Sequence, residues 1–290
     1  METHEIEVAG GKLVYDVRGP LPPADGRPPL LMIGHPMGAS GFADLAPHFS
    51  DRTVVTYDPR GCERSEVGDA EHNPFTNAED VHLVIEATGG GPVDILGSSG
   101  GAITGLALIT QHPDDVAVLV AHEPPVLDVL PDVEFARAAF RQASEEYHRS
   151  GFGAGMARFI QLISVEGEFT AETLAQPAPD PAMFGLPTED DGVRDDPLLS
   201  GVSDDVTDFP FDVQELSSAP ARLVLAAGEE SRNQLPGRAA AEIARALSTE
   251  LAIFPSHHGG FGGADSPYGG KPEAFAKKLR EVLAAPATGD

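Results

Sequence analysis

Cysteine is almost missing from this chain and tryptophan is missing altogether, with one Cys at position 62 and no Trp in 290 residues. A lone thiol excludes an internal disulfide and a cysteine-based metal cluster. Its place in a polar loop with no neighbouring His argues against a nucleophilic role. Basic residues are scarce as well. Nineteen Lys and Arg stand against 46 Asp and Glu, a formal net charge of −27, which speaks against nucleic acid and anionic membranes as partners because both are gripped through basic patches. No apolar run approaches the length of a membrane span. The opening Met-Glu-Thr-His-Glu-Ile-Glu has neither a basic nor an apolar signal region, so a cytoplasmic protein is expected. Neither His-Glu-x-x-His, nor a Cys/His pair, nor a dinucleotide or phosphate-loop fingerprint occurs, and no metal or cofactor is expected.

What the chain does have is a strand-turn-helix signal from Pro92 to Ile109. The short apolar run Val93-Asp94-Ile95-Leu96 meets Gly97-Ser98-Ser99-Gly100-Gly101, and an apolar helical segment follows at once. The five-residue turn fits Gly-x-Ser-x-Gly, in which the central Ser sits on a sharp, strained turn with its hydroxyl above the sheet edge. Ser99 is therefore the candidate nucleophile. The N–H of the next residue, Gly100, is the expected donor to an oxyanion.

Around this element the chain alternates strands and helices. An apparent hairpin, Glu5–Val8 and Lys12–Val17, precedes the continuous apolar run Leu30-Leu31-Met32-Ile33, which suits a strand buried on both faces. The loop Gly34-His35-Pro36-Met37-Gly38 follows at its carboxyl end, where open α/β sheets place their chemistry. Met37 N–H is the expected second oxyanion donor. Further strands are expected at Thr53–Tyr57, Val116–Ala121, Ala221–Ala227 and Glu250–Phe254, with helices at Ala78–Ala87, Pro236–Leu247 and Pro272–Ala284.

Tyr57-Asp58-Pro59-Arg60-Gly61-Cys62-Glu63-Arg64-Ser65, the preceding His35-Pro36-Met37-Gly38 and the later Gly-Ser-Ser-Gly-Gly together resemble the α/β-hydrolase superfamily. Their order and spacing are more specific than any one of them. The resemblance implies a mostly parallel twisted sheet with helices on both faces and a helical cap inserted over the site. Asp58 and Arg60 are then loop-bracing residues. On this reading residues 1–127 and 219–290 form the core, and 128–218 the cap.

A serine hydroxyl needs a positioned base, usually a His oriented by a carboxylate. The chain order in this superfamily is Ser, acid, His. Of the pair His257-His258 after the last strand, His258 is preferred, because His258-Gly259-Gly260-Phe261 is similar to the ending in which the superfamily carries its base. The acid departs from pattern. Many relatives have Gly-x-x-Asp after the penultimate strand, but here Gly228-Glu229-Glu230-Ser231 puts Ser at the fourth place. Glu230 is the first candidate, one residue early, and Glu123, at the end of the strand after the nucleophile helix, is its rival.

The leading expectation is a serine hydrolase acting on an ester, lactone, thioester or amide through an acyl-enzyme. A cofactor-free lyase or perhydrolase on the same fold, and a binding protein with vestigial catalysis, are the alternatives. Nineteen acidic residues against five Arg and no Lys from Asp128 to Ser218 give that stretch a net −14. A neutral or cationic small molecule is the expected partner, and a homodimer is compatible with the same reading.

Overall fold

The computed structural model describes residues 1–68, 72–202, 204–264 and 269–285. Strands β1 (Glu2–Val8), β2 (Gly11–Arg18), β3 (Leu30–Ile33), β4 (Val54–Tyr57), β5 (Glu66–Val67), β6 (Val93–Ser98), β7 (Val116–His122), β8 (Arg222–Gly228) and β9 (Ala252–Phe254) form one sheet. Eight of them run in the order β1-β2-β4-β3-β6-β7-β8-β9, and the short β5 pairs with β2. β2 is antiparallel to β1 and β4, whereas every pair from β4 through β9 is parallel. The helices are α1 (Pro74–Ala87), α2 (Gly100–Gln111), α3 (Val133–Ser150), α4 (Phe152–Ile163), α5 (Ala171–Leu174), α6 (Val213–Ser218), α7 (Leu235–Ala246) and α8 (Pro272–Ala284).

The central strands are continuous apolar runs because both faces of the sheet are covered. Along β3, Leu31 and Ile33 point into a core shared with α1 and α2, while Leu30 and Met32 point into a second core closed by Phe42, Phe49 and α8 residues Phe275 and Leu279. Leu119 and Val120 of β7 divide between the two layers in the same way, as the two-residue period of a strand requires.

Element boundaries differ from the sequence reading where capping decides them. α1 begins at Pro74 instead of Ala78, since Asn73 Oδ1 accepts the Phe75 and Thr76 N–H groups and Pro74 fills the first helical position. Between β3 and β4 the chain makes two 3-10 turns, Ala39–Phe42 and Ala46–Phe49. Among the described residues no helix is long and apolar enough to cross a membrane.

Between β7 and β8 the chain packs in two ways. Leu130, Ala136, Ala139, Tyr147, Leu162 and Phe169 gather into a third apolar cluster that reaches α7 through Leu235 and Ala239. Val206, Phe209 and Leu216, near the end of the same stretch, join the core under α1 and α2 instead. Part of this acidic stretch is therefore built into the wall of the sheet.

Strand order reverses direction between β3 and β6: the chain leaves β3 for β4 on one side and leaves β6 for β7 on the other. A crevice at the carboxyl ends of such a pair is the usual ligand position in open α/β sheets. Here the two backbones also touch. A methyl group on Gly101 would overlap the Ile33 carbonyl oxygen and stand 2.7 Å from Gly34 Cα, and one on Gly97 would stand 2.7 Å from the Gly101 carbonyl oxygen. Gly101→Ala is expected to lower stability by about 2–3 kcal/mol, because overpacking against backbone outweighs the gain of roughly 1 kcal/mol in helix propensity. Urea unfolding of the two proteins is the check, and an unchanged midpoint would mean that α2 can lift off β3 freely.

Candidate active site

Ser99 follows β6 and caps α2 with φ 57° and ψ −127°, a conformation sparsely populated by non-glycine residues. Two backbone bonds hold it there. Ser99 N–H donates to the His122 carbonyl at 3.0 Å, and the Ser99 carbonyl accepts from Ala102 N–H at 2.9 Å. Gly100 is the first residue of α2, so its N–H has no acceptor within the helix and faces the positive end of the helix dipole. The loop after β3 lies against it: a Cβ on Gly100 would stand 2.8 Å from the His35 carbonyl oxygen. Met37 follows two residues later.

Two carboxylates hold that loop in place. Asp58, fully buried, accepts from Ala39 N–H at 2.8 Å and from Arg64 Nε at 2.6 Å, while Glu63 accepts from Gly38 N–H at 3.1 Å and from Ser40 Oγ at 2.7 Å. Arg60 makes a buried two-point contact with Asp80, at 2.7 and 2.6 Å. Cys62 is buried in the same turn. Burial, reinforced by Glu63, Asp58 and Asp196, pushes its thiol up to about 12, so little thiolate is available for nucleophilic chemistry.

At the carboxyl end of β7 the backbone turns sharply at Glu123, with φ 52°. Its carboxylate is wholly buried, and three donors surround it. Oε2 meets His258 Nδ1 at 2.5 Å, and Oε1 accepts from Gly228 N–H at 2.9 Å and from Ser231 Oγ at 2.6 Å. Burial alone would raise the Glu123 pKa. The hydrogen bond and charge of His258, with His122 and the Ser231 hydroxyl, outweigh burial and hold it at about 2.

A family model described as alpha/beta hydrolase fold matches residues 28–193, more than half of the chain. The chain belongs to this family. The Uncharacterized hydrolase YraK of Bacillus subtilis (strain 168) is 28% identical over 264 residues, covering 88% of this chain and 89% of YraK. Among solved structures, a thermophilic esterase from Thermogutta terrifontis aligns with a TM-score of 0.66 at 17% identity, covering 98% of each chain. Carboxylesterase CesB from Bacillus subtilis aligns at 0.65 and 18% identity, covering 98% of this chain and 91% of CesB. At these identities the two structures share the fold.

Within this α/β hydrolase the sequence-derived residues separate into two groups. Ser99, Gly100, Met37, Glu123 and His258 all lie at the carboxyl edge of the parallel strands. Glu230 does not join them. It stands exposed, with its carboxylate on Lys271 Nζ at 2.7 Å and its pKa lowered by that ion pair. The turn after β8 directs Ser231 inward and Glu230 outward, so the position that aligns with the missing Asp supplies a hydroxyl to Glu123. His257 accepts from Gly259 N–H at 3.1 Å.

Two residues escaped the sequence reading. Ser231 looked like a gap in the motif, and only its contact with Glu123 gives it a purpose. His122 is fully buried between the two site strands; its Nδ1 lies 3.3 Å from Ser98 Oγ, and its ring centroid lies 6.2 Å from that of His258. Burial pushes its pKa down to about 4, so it is neutral at pH 7 and adds no charge beside His258. The only sequence signal was the tandem His122-Glu123 at a strand end.

The depressed Glu123 pKa sets a pH signature. A carboxylate whose folded-state pKa lies below its unfolded value adds stability above the unfolded value, and loses it as pH falls toward the folded one. Glu123→Gln is therefore expected to be less stable than the wild type by about 3 kcal/mol near pH 7. The gap should shrink between pH 5 and about 2. Denaturant unfolding across that range checks it, and a gap that stays constant would contradict the ion-pair account.

Proposed function

We propose that this protein is a serine hydrolase that cleaves an ester or similar acyl bond of a small molecule through an acyl-enzyme. Ser99 is the nucleophile, His258 the base and Glu123 the acid that orients it. The observation that carries the reading is the buried Glu123–His258 contact at 2.5 Å, on the same sheet edge as a Ser whose backbone is held in a strained turn. The hydrolase name of YraK and the esterase names of the two structures point the same way.

The chemistry follows from these groups. His258 Nε2 takes the Ser99 hydroxyl proton as Oγ attacks the acyl carbon, and Glu123 stabilises the imidazolium that forms. The oxygen that gains charge is met by the N–H groups of Gly100 and Met37, each worth roughly 3 kcal/mol of barrier. The carbon–leaving-group bond then breaks, with His258 returning its proton to the leaving group. Water activated by His258 next splits the acyl-enzyme and restores Ser99.

On this reading the helical part of residues 128–218 is a cap over the crevice, and its net −14 favours neutral or cationic substrates. Asp128 and Asp208 pair with Arg137, and Asp190 with Arg194; these arginines are already counted in the net −14, so the field comes from the carboxylates in excess of them.

Hydrolysis of an activated ester and labelling by a fluorophosphonate test the assignment. Ser99→Ala and His258→Ala should each cut kcat by several orders of magnitude, with Ser99→Ala also abolishing labelling. Glu123→Gln should lose roughly 10⁴-fold, whereas Glu230→Gln should stay within a few-fold of wild type. More than a tenth of the wild-type rate in Ser99→Ala would overturn the proposal. The charge reading predicts that a neutral ester is preferred over its carboxylate-bearing analogue, and that the ratio of kcat/KM narrows as the Debye length falls from about 10 Å at 0.1 M salt to about 3 Å at 1 M. A ratio independent of salt would assign the preference to pocket shape.

A further inference from the structure

At the opposite end of α2 from Ser99, three side chains with metal-binding atoms meet, and Glu79 lies beside one of them. The twelve residues of α2 place about 18 Å between the two ends. His82 and Glu79 share one face of α1, one turn apart. His112 caps the carboxyl end of α2, and Asp115 lies in the turn that enters β7. His82 Nδ1 stands 2.7 Å from Asp115 Oδ2, and His112 Nε2 stands 3.0 Å from Glu79 Oε2. The two imidazoles lie face to face, with centroids 3.8 Å apart and planes within 6°. One ligand atom from each of His82, His112 and Asp115 falls within 4.8 Å of the others.

From this arrangement we propose that His82, His112 and Asp115 form a binding site for a divalent transition-metal ion of the zinc class, whose remaining positions are open to water. Each close nitrogen–oxygen contact is a place where a metal ion can replace the shared proton, bound to both atoms at about 2.0–2.2 Å. Two imidazoles with a carboxylate select Zn²⁺, Ni²⁺ or Cu²⁺ over Mg²⁺ and Ca²⁺, which prefer all-oxygen shells. The parallel rings are not yet aimed at one point. One must tilt, and both His side chains have room, being about a quarter exposed at 25% and 24%. Asp115 is held more firmly: its side chain is mostly buried, its N–H donates to the His112 carbonyl at 3.1 Å and its carbonyl accepts from Val93 N–H at 2.8 Å. The neighbouring Asp114 adds to the negative field.

The ion would tie α1 to the α2–β7 turn and leave the chemistry at Ser99 untouched. Its role is to stabilise the fold.

The test uses the full-length protein, treated with EDTA and dialysed, and titrated with ZnCl2 by calorimetry. One ion per chain with micromolar affinity is expected, together with a rise in Tm and an unchanged rate of ester hydrolysis. His82→Gln and His112→Gln should each weaken binding by at least about tenfold and abolish the rise in Tm, while His148→Gln, on α3, should do neither. Both variants remove partly exposed side chains, and their metal-free Tm values report whether they fold; His112→Gln, at a helix end, decides alone if the other does not. Absence of saturable binding below millimolar Zn²⁺ would overturn the proposal. So would binding that survives loss of either His, or equal protection by Mg²⁺.

Discussion

The contact between the β3 and β6 backbones at their carboxyl ends constrains everything built above the sheet. Gly101 leaves no side chain where the start of α2 meets Ile33 and Gly34, and Gly97 leaves none where β6 meets Gly101 and Ala102, so α2 can start directly at the strand end. Ser99 takes its positive-φ turn at that point, and the next residue, Gly100, lies against His35 of the loop after β3. A larger residue at Gly101 would push the start of α2 away from β3. The strain at Ser99 is sustained because its N–H and carbonyl are both bonded to neighbours, which fits a site held ready before substrate arrives.

The second constraint is electrostatic. Glu123 has no exposed surface, and an isolated carboxylate there would cost several kcal/mol in lost hydration. Three donors on two other segments offset that cost: Gly228 N–H, Ser231 Oγ and the His258 imidazole. The pair therefore ties β7, the turn after β8 and the loop after β9 into one unit. His122 completes the surroundings as a neutral ring against Phe254 and Phe275. With so little water around Glu123, it feels a charge on His258 strongly.

Charge on this molecule is distributed unevenly in kind as well as in amount. The buried carboxylates Asp58, Asp80 and Glu123 each have specific donors and hold loops in place. Many acidic groups of the α3–α6 stretch are exposed and act through their summed field. Salt screens the field of the second kind, and screens the short buried contacts of the first much less.

The strands, the glycine-rich turn at Ser99 and the loops that carry Met37 and His258 were legible in the sequence, because these depend on local patterns: apolar runs of strand length, glycines where backbones approach, and a loop after the last strand. It also put Glu123 forward as a rival for the acid. What it left undecided was the choice between Glu123 and Glu230, since both follow a strand and both are one carboxylate in a turn. Only the tertiary structure settled where each side chain goes: the turn after β8 sends Ser231 inward and Glu230 out to Lys271, and parallel pairing of β7 with β8 brings Glu123 under His258. Residues 123, 231 and 258 are more than a hundred positions apart at the extremes, and no local pattern encodes which of them meet. The pairing of His82 with Asp115 and of His112 with Glu79 has the same origin, in the packing of two helices whose sequences carry no metal motif.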